Sequence, residues 1–274
     1  MKFFLHEKNW SLELIFFAAV VSTFLGVVGA YWDIGWHFDF GRDTFWSLPH
    51  LFIYGSAVIV SFVLFLNFLL ALKHDLPHKN KTLFYLIIFA MAGVATVFMS
   101  APIDDLWHRL YGIDIEIISL PHLMLLFGAI LSTFGIVGIL RYHVMHARKK
   151  FLFEKLLVPF LLASILVGLI IIFAESEFST LPLDHPVQNR QPWVYPTYSI
   201  IFSVFILALS KCLSQFKWSA VITILFFFFI RSWPVAYNTW WGMESVPSFP
   251  YLWSLFLVMA ITLDLLFLFR PTRG

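Results

Sequence analysis

Charged residues are scarce in this 274-residue chain, where they make up 12% of the sequence while 60% of the residues are hydrophobic. Soluble domains carry about 25% charged residues, so this chain has too few charges to cover the outside of a water-soluble fold. We therefore expect most of its surface to face lipid. That expectation excludes soluble enzymes, nucleic-acid-binding proteins and secreted disulfide-rich scaffolds. The net charge of +2 points to no particular partner.

Cysteine is almost absent, because Cys212 is the only one in the sequence. A single cysteine excludes internal disulfides and clusters of thiolate ligands. Any metal site in this chain must therefore use the nitrogen and oxygen ligands that histidine, aspartate and glutamate provide.

Long apolar runs are what the sequence does contain. A helix needs about 20 apolar residues to cross the hydrocarbon core of a bilayer, and no stretch shows the alternation over about 10 residues that is typical of a membrane β-barrel. The sequence therefore predicts an all-α, polytopic membrane bundle that forms a single domain over residues 1–274. The eight predicted transmembrane helices cover residues 12–32, 50–72, 82–101, 121–140, 153–173, 195–213, 217–233 and 250–269.

The basic residues predict the orientation of these helices. Most of the 18 Lys and Arg residues lie near the termini or in alternate loops around 73–81, 141–155 and 211–217. Because basic flanks stay cytoplasmic, we expect a multi-pass protein of the cell membrane with both termini in the cytoplasm. The other loops, predicted to be outer, carry acidic and aromatic residues typical of an interfacial belt. The basic residues of these outer loops are Arg42, Arg109, Arg190 and Arg231, and the last loop is rich in tryptophan, with Trp233, Trp240, Trp241 and the following Trp253.

Two of the outer segments share one pattern. The first contains Asp33, Trp36-His37, Gly41, Asp43 and Pro49-His50-Leu51, in that order. The second contains Asp104, Trp107-His108, Gly112, Asp114 and Pro121-His122-Leu123, with a single one-residue insertion. We interpret the two segments as a parallel internal repeat of helical hairpins, residues 12–72 and 82–140, followed by C-terminal helices over 153–270.

Each copy predicts a carboxylate–imidazole metal site. An Asp and a His four residues apart lie on one face of a helix, and a proline just before the later His places that His in the first turn of the next helix. Two imidazoles and one carboxylate leave coordination positions open, as reactive metal sites do. The predicted metal ligands are Asp33, His37 and His50 in the first copy and Asp104, His108 and His122 in the second.

Other interpretations of these residues remain open. The same side chains can instead act as polar caps that hold the outer segments to the bundle without a metal. His185, in the third outer segment, is a further candidate ligand. Asp264 lies inside the last apolar run, so we expect it to pair with a polar neighbour or to reach water.

The first segment resembles the metal-binding segment found in one membrane subunit of the copper membrane monooxygenases, the family of the particulate methane and ammonia monooxygenases. The likeness covers about residues 30–130, and it is carried by Asp33, Trp36-His37, Arg42-Asp43-Thr44 and Pro49-His50. In that family an Asp-x3-His and a later His form an intramembrane copper site. The resemblance therefore implies that Asp33, His37 and His50 are copper ligands.

The second segment resembles a further motif of the same family, which has Asn-x3-His followed by Pro-His. His108 and His122 match this motif, whereas Asp104 stands where the family usually has asparagine. The resemblance implies that Asp104 and His108 lie beside His50, so that one metal ion chooses between two overlapping triads.

Two functions fit these observations. The first is a copper-dependent monooxygenase, or its metal-bearing subunit, that oxidises a small apolar substrate with O2. The resemblance then implies partner membrane subunits, in a homo- or hetero-oligomer. The second is the non-catalytic transport, sensing or delivery of a metal, for which copper, zinc and iron all suit the predicted ligands.

Overall fold

The computed structural model describes residues 10–41, 44–112, 118–146, 152–178, 191–214, 216–248 and 252–268. Regular structure in these residues is helical, apart from one isolated bridge between Phe178 and Pro247. The helices are α1 (Trp10–Phe40), α2 (Leu48–Lys73), α3 (Leu76–Lys79), α4 (Lys81–Tyr111), α5 (Leu120–His146), α6 (Leu152–Ile171), α7 (Val194–Leu213), α8 (Ser219–Trp240) and α9 (Trp253–Leu268). A short 3-10 helix, Ala174–Glu177, follows α6.

Six of these helices, α1, α2, α4, α5, α7 and α8, are long and apolar enough to cross a membrane. Two shorter apolar stretches, Lys155–Ile171 within α6 and Trp253–Leu268 in α9, coincide with the remaining predicted spans. The prediction of a helical membrane bundle is therefore confirmed, with six candidate spans among the described helices. That the chain crosses the membrane eight times remains a prediction.

Four helices continue at least six residues beyond the spans that the sequence predicts. α1 extends to Phe40, α4 to Tyr111, α5 to His146 and α8 to Trp240. A helix of 31 residues, such as α1 or α4, is about 46 Å long, whereas the hydrocarbon core is about 30 Å thick. The end of an apolar run indicates where contact with lipid ends, but the backbone hydrogen bonds of the helix continue past that point. The assignment of Asp33, His37, Asp104 and His108 to loops is therefore wrong, whereas the prediction that each Asp–His pair lies on a helix is confirmed. Arg109 and Trp240 also lie on helices and not in loops, and Arg231 and Trp233 lie within α8.

The helices pack as two hairpins and a C-terminal group. α1 packs against α2, α4 packs against α5, and α2 also contacts α4. α6 lies between the hairpins and the C-terminal helices, because it contacts α1, α5, α7 and α8. Most side chains of α6 from Leu157 to Ile171 are buried, as expected for a helix that is apolar on every face.

Glycines let α4 and α5 approach each other closely. A Cβ added at Gly93 would lie 2.3 Å from the backbone nitrogen of Ser132, and one added at Gly128 would lie 2.7 Å from the carbonyl oxygen of Gly93. Small residues at such contacts are typical of membrane helix pairs. This glycine seam sets the distance between the two helices that carry Asp104, His108 and His122.

Asp264 is fully buried on α9 and confirms the expectation of a polar partner. Its carboxylate lies 2.7 Å from the Lys211 ammonium. It also accepts hydrogen bonds from the backbone N–H groups of Ala220 and Val221, in the first turn of α8. Those N–H groups have no acceptor within a helix, so Asp264 fixes the start of α8.

Candidate metal centre

The six predicted ligands lie at one end of the two hairpins, which we call the ligand end. Asp33 and His37 lie in the last turns of α1, and Asp104 and His108 lie in the last turns of α4. His50 and His122 are each the third residue of their helices, α2 and α5. Each follows a proline at the second position, so the predicted placement in the first turn is confirmed.

The second triad is compact. The Asp104 Oδ2 atom lies 3.5 Å from His108 Nε2, and Asp104 Oδ1 lies 3.5 Å from His122 Nε2. One potential ligand atom from each of the three residues lies within 4.8 Å of the others, and all three side chains are partly buried. Within the described residues, this is the group of His, Cys, Asp and Glu side chains that meets this condition.

The first triad is more open. The Asp33 Oδ1 atom lies 3.2 Å from His50 Nε2, but Asp33 Oδ2 lies 3.9 Å from His37 Nε2. Asp33 therefore contacts both histidines, although the three residues do not close to the separation of the second triad. The resemblance assigns copper ligands to the first triad, whereas the geometry is more favourable in the second.

Hydrogen bonds orient one histidine in each triad. The His50 Nδ1 atom lies 3.1 Å from the carbonyl oxygen of Thr44, and His108 Nδ1 lies 3.1 Å from that of Gly112. A carbonyl oxygen can only accept, so Nδ1 must carry the hydrogen in both rings. Metal-binding histidines commonly have this arrangement, in which one ring nitrogen donates to a carbonyl and the other faces the metal.

The consequence is that Nε2 of each oriented ring faces a carboxylate. In a neutral ring whose Nδ1 carries the hydrogen, Nε2 offers only a lone pair. A lone pair and a carboxylate oxygen are both acceptors, so they attract each other only when a cation lies between them. The cation is either a proton on the imidazole or a metal ion bound to both groups. The donor set therefore fits a metal ion such as copper or zinc.

A cavity of about 70 Å³ brings the two triads together. Its lining includes Asp33 and His50 from the first hairpin and Asp104 and His122 from the second. The two hairpins thus face each other through their ligands, with Asp33, His50, Asp104 and His122 on the shared wall.

A larger chamber of about 160 Å³ adjoins this ligand cavity. The two spaces share the lining residues Ala30, Ile53, Leu125, Leu126 and Ile171. The larger chamber continues from the ligand end toward the middle of the bundle, where it borders α6. The candidate metal centre therefore stands at one end of an apolar interior space.

A buried ion pair that the sequence did not predict lies behind α1. The Arg231 guanidinium donates to Glu177 Oε2 at 2.5 Å, and the Tyr195 hydroxyl donates to Glu177 Oε1 at 2.5 Å. The guanidinium also lies 4.0 Å from the centre of the Tyr31 ring. Burial raises the pKa of the Glu177 carboxyl, while Arg231 opposes that rise. The signal was present in the sequence, because an arginine at the edge of an apolar run needs a partner.

The ligand end of α1 is held by α8 and the segment after it. The Asp39 carboxylate accepts the backbone N–H groups of Glu244 and Ser245, each at 2.9 Å. The Asn238 amide donates to the carbonyl oxygen of Tyr31 at 3.4 Å. These contacts fix the two turns of α1 that carry Asp33 and His37.

Some residues of the sequence patterns lie outside the described residues, namely Arg42, Asp43, Asp114, His185 and Arg190. No protein family, curated protein or solved structure matches the chain. The fold and the site themselves define a class, that of a helical membrane protein with a carboxylate–imidazole candidate metal centre between two hairpins.

Proposed function

We propose that this protein binds a transition-metal ion through Asp104, His108 and His122, and that copper is that ion. The observation that carries the proposal is the compact second triad, in which His108 turns Nε2 toward Asp104 because its Nδ1 donates to a carbonyl oxygen. Copper is favoured by the resemblance of the ligand segments, while zinc and iron suit the same donors.

We further propose that the bound copper serves the oxidation of a small apolar substrate with O2, as the metal-bearing subunit of a monooxygenase. A copper ion held by three protein ligands supplies a redox-active centre with open coordination positions. Two of the three proposed ligands, Asp104 and His122, line the ligand cavity, and all three are partly buried. The adjoining apolar chamber supports this function, because it gives an uncharged substrate a place beside the metal ligands.

Metal transport, sensing or delivery is the second candidate. Its support is the shared wall of the ligand cavity, where Asp33 and His50 face Asp104 and His122. Two carboxylate–imidazole groups in one small space offer an ion successive binding positions. Such an arrangement suits transfer of a metal as well as its retention.

The membrane arrangement that we propose has eight spans and a parallel repeat of the two hairpins, with cytoplasmic termini and an outer ligand end. The repeat is supported by the matching geometry of the two carboxylates. In each, one carboxylate oxygen faces the earlier histidine and the other faces the later one. Other membrane subunits, or further copies of the chain, are the proposed partners.

Elemental analysis of protein purified in lipid nanodiscs tests the metal proposal. We expect about one copper equivalent per chain to be lost in the double variant Asp104→Ala/His108→Ala. The matched control is His146→Ala at the opposite end of α5, where the ring bonds to the Tyr142 carbonyl. Full copper content in the double variant would overturn the assignment of these ligands.

Two assays separate oxidation from transport. The copper-loaded protein, with its co-purifying subunits, is supplied with an electron donor and tested for O2 consumption that requires an apolar substrate. Proteoliposomes containing the protein alone are tested for copper uptake. Substrate-dependent O2 consumption without copper flux supports the monooxygenase function, and the reverse pattern supports transport.

A further inference from the structure

The larger chamber differs from the rest of the bundle because its lining lacks aromatic and charged side chains within the described part of the chain. The chain is 19% aromatic, yet none of the described residues that line the chamber is aromatic or charged. The space is bordered instead by small residues, among them Gly26, Ala57, Ala129 and Gly168. The chamber thus exists because small side chains on α1, α2, α5 and α6 leave this space unfilled.

The hydroxyl groups in the lining do not make the chamber polar. Five of the six serine and threonine residues bond back to carbonyl oxygens of their own helices, as helical hydroxyls often do. These five are Ser22, Thr23, Ser56, Thr133 and Ser164. The oxygen of the sixth, Ser132, is itself buried. The surface that a ligand meets is therefore mostly hydrocarbon.

The size of the chamber sets the size of its ligand. An apolar protein cavity of about 150 Å³ stays dry and binds benzene or xenon, and the chamber measures about 160 Å³. Ala129, which belongs to the lining, is exposed in the middle of α5. That part of α5 lies within a candidate membrane span.

We propose that this chamber binds one small, uncharged, apolar molecule of about the size of benzene, which enters from the bilayer and lies beside the ligand cavity. Binding in the chamber needs no metal. That the bound molecule is the substrate of the metal centre rests on the proposed function. The five lining residues shared by the two spaces place the ligand next to Asp33, His50, Asp104 and His122.

Fluorine NMR with fluorobenzene tests the chamber in metal-free protein held in nanodiscs. We expect a saturable, protein-bound signal of about one molecule per chain that empty nanodiscs do not give. Ala57→Leu adds a branched side chain to the lining and should weaken binding by at least about tenfold. The matched control is Ala95→Leu on α4, because Ala95 is exposed and lines neither space.

The outcomes for the chamber and for the metal site are distinguishable. A native signal no different from that of empty nanodiscs, or full binding by Ala57→Leu, overturns the chamber whatever the metal content. After Cu(II) loading, the bound fluorobenzene signal should broaden, because a paramagnetic ion then lies in the adjoining cavity. Copper content without this broadening leaves the metal site in place but overturns the placement of the ligand beside it.

Discussion

Removal of Glu177 should destabilise the protein strongly, because it leaves Arg231 buried without a counter-charge. Arg231 is 0% exposed and Glu177 is 2% exposed, and the guanidinium bonds directly to the carboxylate. Breaking one partner of a buried ion pair costs about 3–5 kcal/mol. We therefore expect Glu177→Leu to lose about 3–5 kcal/mol in the free energy of unfolding. Replacing both residues, in Arg231→Met/Glu177→Leu, removes the uncompensated charge, so the double variant should be more stable than the single one.

A matched control shows whether the loss of stability comes from burial of the ion pair or from the loss of any such pair. Arg109 and Asp105 form an ion pair of the same chemistry and the same 2.5 Å separation on the surface of α4, with side chains 70% and 40% exposed. Exposed pairs contribute about 0.2–1 kcal/mol, so Asp105→Leu should change the stability little. Chemical unfolding in detergent micelles, followed by tryptophan fluorescence, measures the native protein and the three variants. The reasoning fails if Glu177→Leu and Asp105→Leu are equally stable, or if the double variant is no more stable than Glu177→Leu.

Three further predictions concern positions that support the ligand end or the helix starts. Gly93→Ala should cost about 1–3 kcal/mol, because its methyl group meets the α5 backbone, and it should weaken copper binding in a titration. Gly55→Ala is the control, since nothing lies within 4 Å of the added carbon. Equal copper affinities in the Gly93→Ala and Gly55→Ala variants would contradict the idea that the glycine seam positions the ligands on α4 and α5. Asp264→Ala leaves the buried Lys211 ammonium without its carboxylate, so the free energy of unfolding should fall by about 3 kcal/mol. An unchanged midpoint of thermal unfolding would refute this prediction. Asp39→Ala removes the acceptor of two backbone N–H groups and should cost about 1–2 kcal/mol in chemical unfolding; native stability in this variant would show that the contact does not anchor α1.

The sequence predicted local features of the site well. Asp33 and His37, four residues apart, share a helix face, and Pro49 does lie in the first turn of α2, directly before His50. These features depend only on helix periodicity and on the chemistry of proline at a helix start. The same reasoning applies to Asp104 and His122.

Features that depend on distant parts of the chain were missed. The partner of Arg231 is 54 positions away, at Glu177, and no local sequence pattern connects the two residues. Apolar length likewise predicted the wrong ends for α1, α4, α5 and α8, since hydrogen bonding within a helix does not require apolar side chains. Nor does any local pattern state which of the two triads is more compact, because that depends on how α4 packs against α5.

The anchoring of α1 has a consequence for the order in which the protein is assembled. The bonds from Asn238 to Tyr31 and from Ser245 to Asp39 join positions that are 207 and 206 residues apart. A ribosome has made most of the chain before either bond can form. Each hairpin, by contrast, joins neighbouring helices and can form as soon as its second helix has been inserted. Asp104, His108 and His122 thus meet early in biogenesis, whereas the α1 ligands reach their final positions only after α8 and the segment that follows it have been synthesised.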